Sequence, residues 1–205
     1  MRPVAALVLA VLTLGCQAPS GEPAARAAAG AEGLPEAAPP SSFVPIPDVA
    51  LVTHEGRPVR FYSDLVRGRV VVVQFFFTDC QGICPVSTGR MRELQAALGE
   101  RLGPEVSFLS ITLDPAHDTP AVLAEHARDI GARPGWTFLT GDLADITALR
   151  YRLGVYDLDP ELDADRNQHA GVLVLGNEPR QRWSMKPATL SVRPLLAALE
   201  RTLGT

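Results

Sequence analysis

Two cysteines, Cys80 and Cys84, are the residues of this chain whose type and spacing most directly permit chemistry. They follow an apolar run and precede a proline, so we expect them where a buried strand passes into a helix. If the helix begins near the first thiol, the i, i+4 spacing places both sulfurs on one helix face. A helix N-terminus favours anions and should lower both thiol pKa values. Such a pair can close a disulfide or hold a soft metal ion.

The rest of the domain alternates strands with helices. Strands are predicted at residues 49–53, 58–61, 70–77, 106–113, 136–139, 171–175 and 181–185, of which the first two and the last two form hairpins. Helices are predicted after Cys84, from the cap Thr119, from the cap Asp142 and from Ser191. This alternation indicates an α/β fold with a mixed central sheet, helices on both faces and an N-terminal β-hairpin. A buried strand ending in a cysteine pair at a helix N-terminus is typical of the thioredoxin-like fold.

The third candidate donor is His169. Thioredoxins separate their cysteines by two residues, whereas three separate them here, and they carry a proline before the strand that faces the pair. The matching segment of this chain, residues 166–171, contains no proline and has His169 instead. Soft thiolates select Cu(I), and imidazole accepts both copper oxidation states. Zinc with an open fourth position also uses two cysteines and one histidine, so the residues alone leave metal binding and redox chemistry open.

The N-terminus is predicted to direct export. Arg2 and the apolar residues 4–14 are typical of a signal peptide and too short to span a bilayer. Residues 13–16 resemble a lipoprotein cleavage box, so residues 1–16 are interpreted as a lipoprotein-type signal ending at a lipid-bearing Cys16. An ordinary secretory signal or an uncleaved anchor are the alternatives. Residues 17–44, rich in alanine and proline, are predicted to be a disordered tether, and residues 45–205 the folded domain.

Composition excludes other classes of protein. The net charge of −4 argues against a nucleic-acid partner, because phosphate binding requires basic patches. Three cysteines are too few for a disulfide-stapled scaffold, and assigning Cys16 to a lipid leaves one matched pair. We therefore expect an exported protein of the bacterial periplasm or cell envelope, anchored to a membrane by an N-terminal lipid.

Three motifs together resemble the Sco/SenC family over roughly residues 45–203. The first is Thr78-Asp79-Cys80-Gln81-Gly82-Ile83-Cys84-Pro85, which matches the T-x-C-x-x-x-C-P signature of that family. The second is the loop from Asp114 to Pro120, which matches the aspartate-bearing loop of the family, and the third is His169 before an apolar strand. Gln168 departs from the acidic residue usual before this histidine, which affects copper affinity more than ligation.

The resemblance implies a thioredoxin-like metallochaperone that takes part in assembling the copper A centre of cytochrome c oxidase. Its copper ligands would be Cys80, Cys84 and His169, holding one Cu(I) or Cu(II) per domain. The implied partners are the copper A-bearing oxidase subunit or another periplasmic copper protein, and the membrane through the lipid anchor. The alternative is a thiol–disulfide oxidoreductase in which Cys80 and Cys84 are a catalytic redox pair that keeps partner cysteines reduced.

The other polar candidates have weaker signals. Asp114 and Asp118 either orient the metal site or a partner, or support a turn and a helix start. His54 and His117 are predicted in exposed loops and His126 on a helix surface. A peroxidase is disfavoured, because peroxiredoxins place threonine three residues before the reactive cysteine and Thr78 lies two before Cys80.

Overall fold

The computed structural model describes residues 45–165 and 171–204. The predicted signal peptide, Cys16, the tether and His169 lie outside the described residues. One sheet contains the strands β1 (Ala50–Thr53), β2 (Pro58–Arg60), β3 (Val70–Phe76), β4 (Ser107–Thr112), β5 (Trp136–Gly141), β6 (Val172–Asn177) and β7 (Arg182–Pro187). Their order across the sheet is β2-β1-β5-β4-β3-β6-β7.

Strands β3, β4 and β5 are parallel, and both outer pairs are antiparallel. The carboxyl ends of the three parallel strands therefore meet at one edge of the sheet. The cysteine segment follows β3 at this edge, and the loop bearing Asp114 and Asp118 follows β4 beside it. The strand register, in which Phe76 pairs with Thr112, thus brings together residues 36 positions apart.

Helices cover both faces, as the alternation of strands and helices predicted. They are α1 (Cys84–Leu98), α2 (Pro120–Asp129), α3 (Leu143–Arg152), α4 (Pro160–Ala164) and α5 (Val192–Leu203). Helices α1, α2 and α5 pack on the face that carries Val72 and Phe76. Helix α3 and a π-helical segment, Phe61–Val66, cover the face that carries Val71 and Val73. Because β3 is buried on both faces, its sequence is an apolar run without alternation.

The local signals for helix starts mostly act as predicted. The Thr119 hydroxyl accepts a hydrogen bond from the Val122 N–H, and the Asp142 carboxylate accepts one from the Ala144 N–H. Ser191 occupies the N-cap of α5 without a side-chain capping bond. Helix α4 was not predicted, although an aspartate N-cap followed by proline, Asp159-Pro160, marks its start.

Among the described residues, we find no helix whose length and apolarity would let it cross a membrane.

Candidate metal centre

The first helical residue of α1 is Cys84, not Cys80. Cys80 lies in the turn after β3, where its N–H donates to the Phe77 carbonyl at 3.3 Å. The expectation that the helix begins near the first thiol is therefore wrong by one turn. The sulfurs still meet, because the turn folds back onto the helix start and the two thiols hydrogen-bond to each other.

Both cysteines are buried, with 5% and 4% of their surfaces exposed. Loss of solvent is the largest influence on Cys84 and raises the pKa of its thiol far above the ordinary value, and the hydrogen bond to Cys80 acts in the same direction. The expected lowering of this pKa by the helix N-terminus is wrong for Cys84, since burial outweighs the helix dipole. A neutral thiol at Cys84 must lose its proton before it can bind a metal.

Alkylation should report this protonation state. In the reduced, folded protein at pH 7 we expect Cys84 to react with iodoacetamide at least about tenfold more slowly than in the urea-unfolded chain, because only the thiolate attacks and the thiol is buried. Mass spectrometry of the peptide that contains Cys84 measures both rates. Equal rates in the folded and unfolded chains would contradict the buried, protonated thiol.

A cavity of about 270 Å³ opens beside the two cysteines. Phe76 and Phe77 form its apolar wall, and His126 and Arg92 bring polar groups to it. An apolar wall lowers the local dielectric, which strengthens the bonds that thiolates form with a cation and disfavours an uncompensated charge.

The prediction that His126 is a surface residue is wrong. Its ring is half-buried and stacks on Phe76 with the centroids 5.4 Å apart, and the buried Nε2 atom has no hydrogen-bond partner among the described residues. Burial lowers the pKa of His126. The helical spacing carried the signal, because His126 lies three residues after Leu123 and four before Ile130, on the apolar face of α2.

Asp118 is fully buried and fastens the start of the cysteine segment to the β4–α2 loop. Its carboxylate accepts the Thr78 N–H at 3.1 Å and the Thr78 hydroxyl at 2.5 Å. It also accepts the hydroxyl of Thr112 at 2.5 Å, and Thr112 in turn accepts the N–H of Asp114. Asp118 therefore contacts the chain two residues before Cys80, while Thr119 caps α2.

Of the two remaining described histidines, His117 contacts this network and His54 lies on the β1–β2 hairpin. His117 is exposed as predicted, and its Nδ1 lies 3.1 Å from Asp118 while its Nε2 lies 3.5 Å from Asp79. The hydrogen bond with Asp118 and the negative charge of Asp79 raise the pKa of His117. The prediction of an exposed His54 is wrong, because this half-buried ring accepts the Phe138 N–H at 3.2 Å. The buried Trp136 and half-buried Trp183 pack against the two cores, as expected.

His169 and Cys16, the remaining predicted site residues, lie outside the described residues. The chain is described again from Gly171, two residues after His169. A methyl group added to Gly171 would lie 2.1 Å from the Ile83 side chain, so the backbone here packs directly against the residue between the two cysteines. Within residues 45–165 and 171–204, no group of three His, Cys, Asp or Glu side chains is arranged to hold a metal ion.

Comparisons with known proteins find a matching family model and related sequences for this chain. Residues 46–204 match the family model described as SCO1/SenC. The chain is 36% identical over 89 residues to the SCO1 protein homolog of Bacillus subtilis and 34% identical over 121 residues to the mitochondrial SCO2 homolog of Bos taurus. These segments are 42% and 58% of this chain, and each is 44% of the relative. The chain thus spans less than half the length of these two curated relatives.

Solved structures share the fold. The copper-bound structure of Bradyrhizobium japonicum ScoI is 26% identical, with a TM-score of 0.59, and the likeness covers 75% of this chain and 96% of that one. This likeness to a Sco structure confirms the predicted thioredoxin-like fold for the seven-stranded mixed sheet described above.

Proposed function

We propose, since this chain belongs to the SCO1/SenC family, that it is a copper metallochaperone with a role in cytochrome c oxidase assembly. Cys80, Cys84 and His169 would hold one copper ion per domain. The two thiolates would supply soft donors that favour Cu(I), and the imidazole would tolerate both oxidation states.

One contact carries this proposal. Gly171 packs on Ile83, which lies between the two cysteines in the sequence. Consecutive α-carbons are 3.8 Å apart, so the α-carbon of His169 cannot be more than about 8 Å from that of Gly171. We infer from this tether to the cysteine turn that the His169 side chain could extend to the paired sulfurs and act as the third donor.

The surroundings suit binding followed by transfer. The Asp118 carboxylate fixes the backbone at Thr78, so the turn that carries Cys80 is already shaped before the ion arrives. The third donor, His169, would come from a separate segment of the chain, the one that precedes β6. An acceptor protein can therefore displace the histidine first, while the two thiolates keep hold of the ion.

The partner and location follow from the same proposal. Copper would pass to the copper A-bearing subunit of cytochrome c oxidase or to another periplasmic copper protein. Cys16 would carry a lipid, and residues 17–44 would hold the domain off the membrane in the bacterial envelope. A flexible tether of that length spans on the order of 30 Å.

A thiol–disulfide oxidoreductase is the second candidate, and the hydrogen bond between the two sulfurs favours it. Thiols this close can close a disulfide within the turn, and such a pair could keep the cysteines of a partner reduced. This role requires Cys80 and Cys84 but not His169. A very low reduction potential together with no reductase turnover would exclude it.

Copper stoichiometry tests the metallochaperone directly. We expect the reduced full chain to bind one copper ion, and we expect Cys80→Ser, Cys84→Ser and His169→Ala to lose it. His54→Ala is the matched control, because His54 lies on the β1–β2 hairpin and contacts Phe138 rather than the cysteine turn. Metal analysis and the thiolate-to-copper absorption bands report binding. The proposal fails if the reduced wild type takes up no copper, or if His169→Ala binds as the wild type does.

A further inference from the structure

The end of the sheet opposite the cysteines is rich in arginine. Three segments meet there: the residues before β3, the β6–β7 turn and the C-terminus of α5. The Glu178 N–H donates to the Arg69 carbonyl, and the Arg180 guanidinium lies against Gly204. We call this surface the basic end and define it by residues Arg67, Arg69, Arg180, Arg182 and Arg201, which lie on these three segments. It is a local excess of positive charge on a chain whose net charge is −4.

The glutamates at the basic end are already engaged. Arg101 alone pairs with both Glu105 and Glu200, at 2.8 Å and 2.7 Å. Glu178 accepts the Tyr62 hydroxyl and the Gly68 N–H, each at 2.8 Å. Within the described part of the chain, no carboxylate forms an ion pair with Arg69, Arg180, Arg182, Lys186 or Arg201. Their charges are therefore available to an external anion.

Two polar grooves lie on this surface. One, of about 200 Å³, runs between β7 and α5 and combines cations with hydroxyl groups; it includes Arg182, Ser184, Lys186, Arg201 and Thr202. The other, of about 340 Å³, includes Arg67, Gly68, Arg69, Gly103 and Ser107, together with Glu105, whose charge is paired with Arg101. Guanidinium groups beside hydroxyls and exposed backbone are the donors that bind phosphate oxygens.

The exposed large apolar side chains lie outside the two grooves, and carboxylates lie at the opposite, cysteine end of the sheet. Five of the seven exposed large apolar side chains of the described residues lie in residues 143–162, and neither these five nor Val86 and Met185 line the two grooves. The segments that follow β3, β4 and β5 at the cysteine end each carry a carboxylate, namely Asp79, Asp114 and Asp142. Protein interfaces have apolar centres, so a polar cationic surface fits an anionic bilayer better than a protein partner.

We propose that the basic end docks on anionic phospholipid headgroups and thereby directs the cysteine turn away from the membrane. The opposite charges at the two ends make this orientation favourable and the reverse orientation repulsive. Six-residue strands separate the two ends by roughly 20 Å, so the cysteine turn would remain exposed to a partner in the aqueous phase. This inference is independent of copper binding and uses the proposed membrane tether only to bring the domain to a bilayer.

Energy transfer from tryptophan to a dansyl-labelled lipid tests the proposal in the full chain. The protein is reconstituted into vesicles of phosphatidylcholine, with or without about one-third phosphatidylglycerol. We expect tryptophan quenching at least about twofold stronger in the anionic vesicles, because Trp183 lies on β7 beside Arg182, and we expect about 0.5 M NaCl to remove the difference. The double variant Arg182→Glu with Arg201→Glu should quench equally in both vesicles.

The matched control is Arg128→Glu with Arg193→Glu, which makes the same charge change at exposed helix positions outside both grooves. It should retain the response to phosphatidylglycerol. Equal quenching of the wild type in both vesicles would overturn the proposal, as would equal losses in the two double variants. Binding of hexaglutamate to the grooves, together with tryptophan quenching that does not respond to anionic vesicles, would also overturn the proposal. That result would indicate that an acidic protein segment occupies the grooves instead.

Discussion

Asp118→Asn is expected to lower the free energy of unfolding by about 3 kcal/mol, because the buried carboxylate accepts three hydrogen bonds from Thr78 and Thr112, besides the one it shares with the His117 ring, and an amide cannot replace them all. Two of its donors, the N–H and hydroxyl of Thr78, begin the cysteine segment, and the third is the hydroxyl of Thr112 on the neighbouring strand. The amide NH₂ group would face one of these donors, which would then be buried without a partner. Urea unfolding of the reduced protein at pH 7 measures the change.

Asp129→Asn is the matched control, since Asp129 is an exposed carboxylate at the end of α2 and its replacement should alter stability by less than about 0.5 kcal/mol. Both variants make the same chemical change, at a buried, hydrogen-bonded carboxylate in one case and at an exposed carboxylate in the other. A loss as small for Asp118→Asn as for Asp129→Asn would show that the three hydrogen bonds contribute little. Asp118→Asn should also release the turn that carries Cys80. We therefore expect this variant to lose bound copper to a chelator faster than the wild type does.

Asp163→Asn should be comparably destabilising, by about 3 kcal/mol, because it leaves the buried Arg150 guanidinium without its counter-ion. The pair is bidentate, with distances of 2.5 Å and 2.7 Å, and the two side chains are only 11% and 5% exposed. Asp163 also accepts hydrogen bonds from the Tyr151 hydroxyl and from the Asp157 N–H. This one carboxylate thus fastens α4 and the preceding loop to α3, and urea unfolding at pH 7 measures its contribution.

The pH dependence of this loss has a definite sign. The hydrogen bonds from Arg150 are the largest cause of a pKa for Asp163 well below its ordinary value of 3.8. A carboxyl group whose pKa is lower in the folded state stabilises the protein above the pKa of the unfolded state, and this stabilisation is lost as the pH falls towards the folded value. The stability difference between wild type and Asp163→Asn should be constant from about pH 8 to 5 and shrink below about pH 4.

The control for Asp163 removes both charges. Arg150→Met combined with Asp163→Leu should recover much of the stability, since apolar groups of similar volume can replace a buried ion pair at little cost. Replacement of Asp129, an exposed carboxylate at the end of α2, by asparagine should have little effect. If the double variant is as unstable as Asp163→Asn, packing around α4, and not an unpaired charge, causes the loss.

Several parts of this fold could be predicted because their signals are local. The apolar run at residues 70–77, interrupted only by Gln74, identified the central strand, and Thr119-Pro120 and Asp142 marked two helix starts within one residue. The cysteine pair was correctly placed at the strand-to-helix junction. Short signals such as a cap act within three or four residues, so the sequence displays them directly. The start of α1 was less accurate because its N-cap, Ile83, makes no capping bond.

The site could be predicted only in outline. Asp118 accepts hydrogen bonds from Thr78, forty residues earlier in the sequence, and from Thr112. The sequence therefore leaves open whether Asp118 supports the helix or anchors the cysteine segment, because only the pairing of β3 with β4 brings these residues together. His126 was assigned to the surface because a single histidine on a helix is usually exposed. The burial of His126 depends on its contacts with Phe76 on β3 and Phe138 on β5.

The sequence by itself determined which residue types are present, their spacing along the chain and the order of strands and helices. Those properties depend on local conformation and on the period of apolar residues. Only the tertiary structure decided that burial raises the pKa of the Cys84 thiol, that Asp118 holds Thr78, and that arginines from three separate segments form one basic end. Each of these depends on burial or on contacts between distant segments, which a linear pattern does not encode.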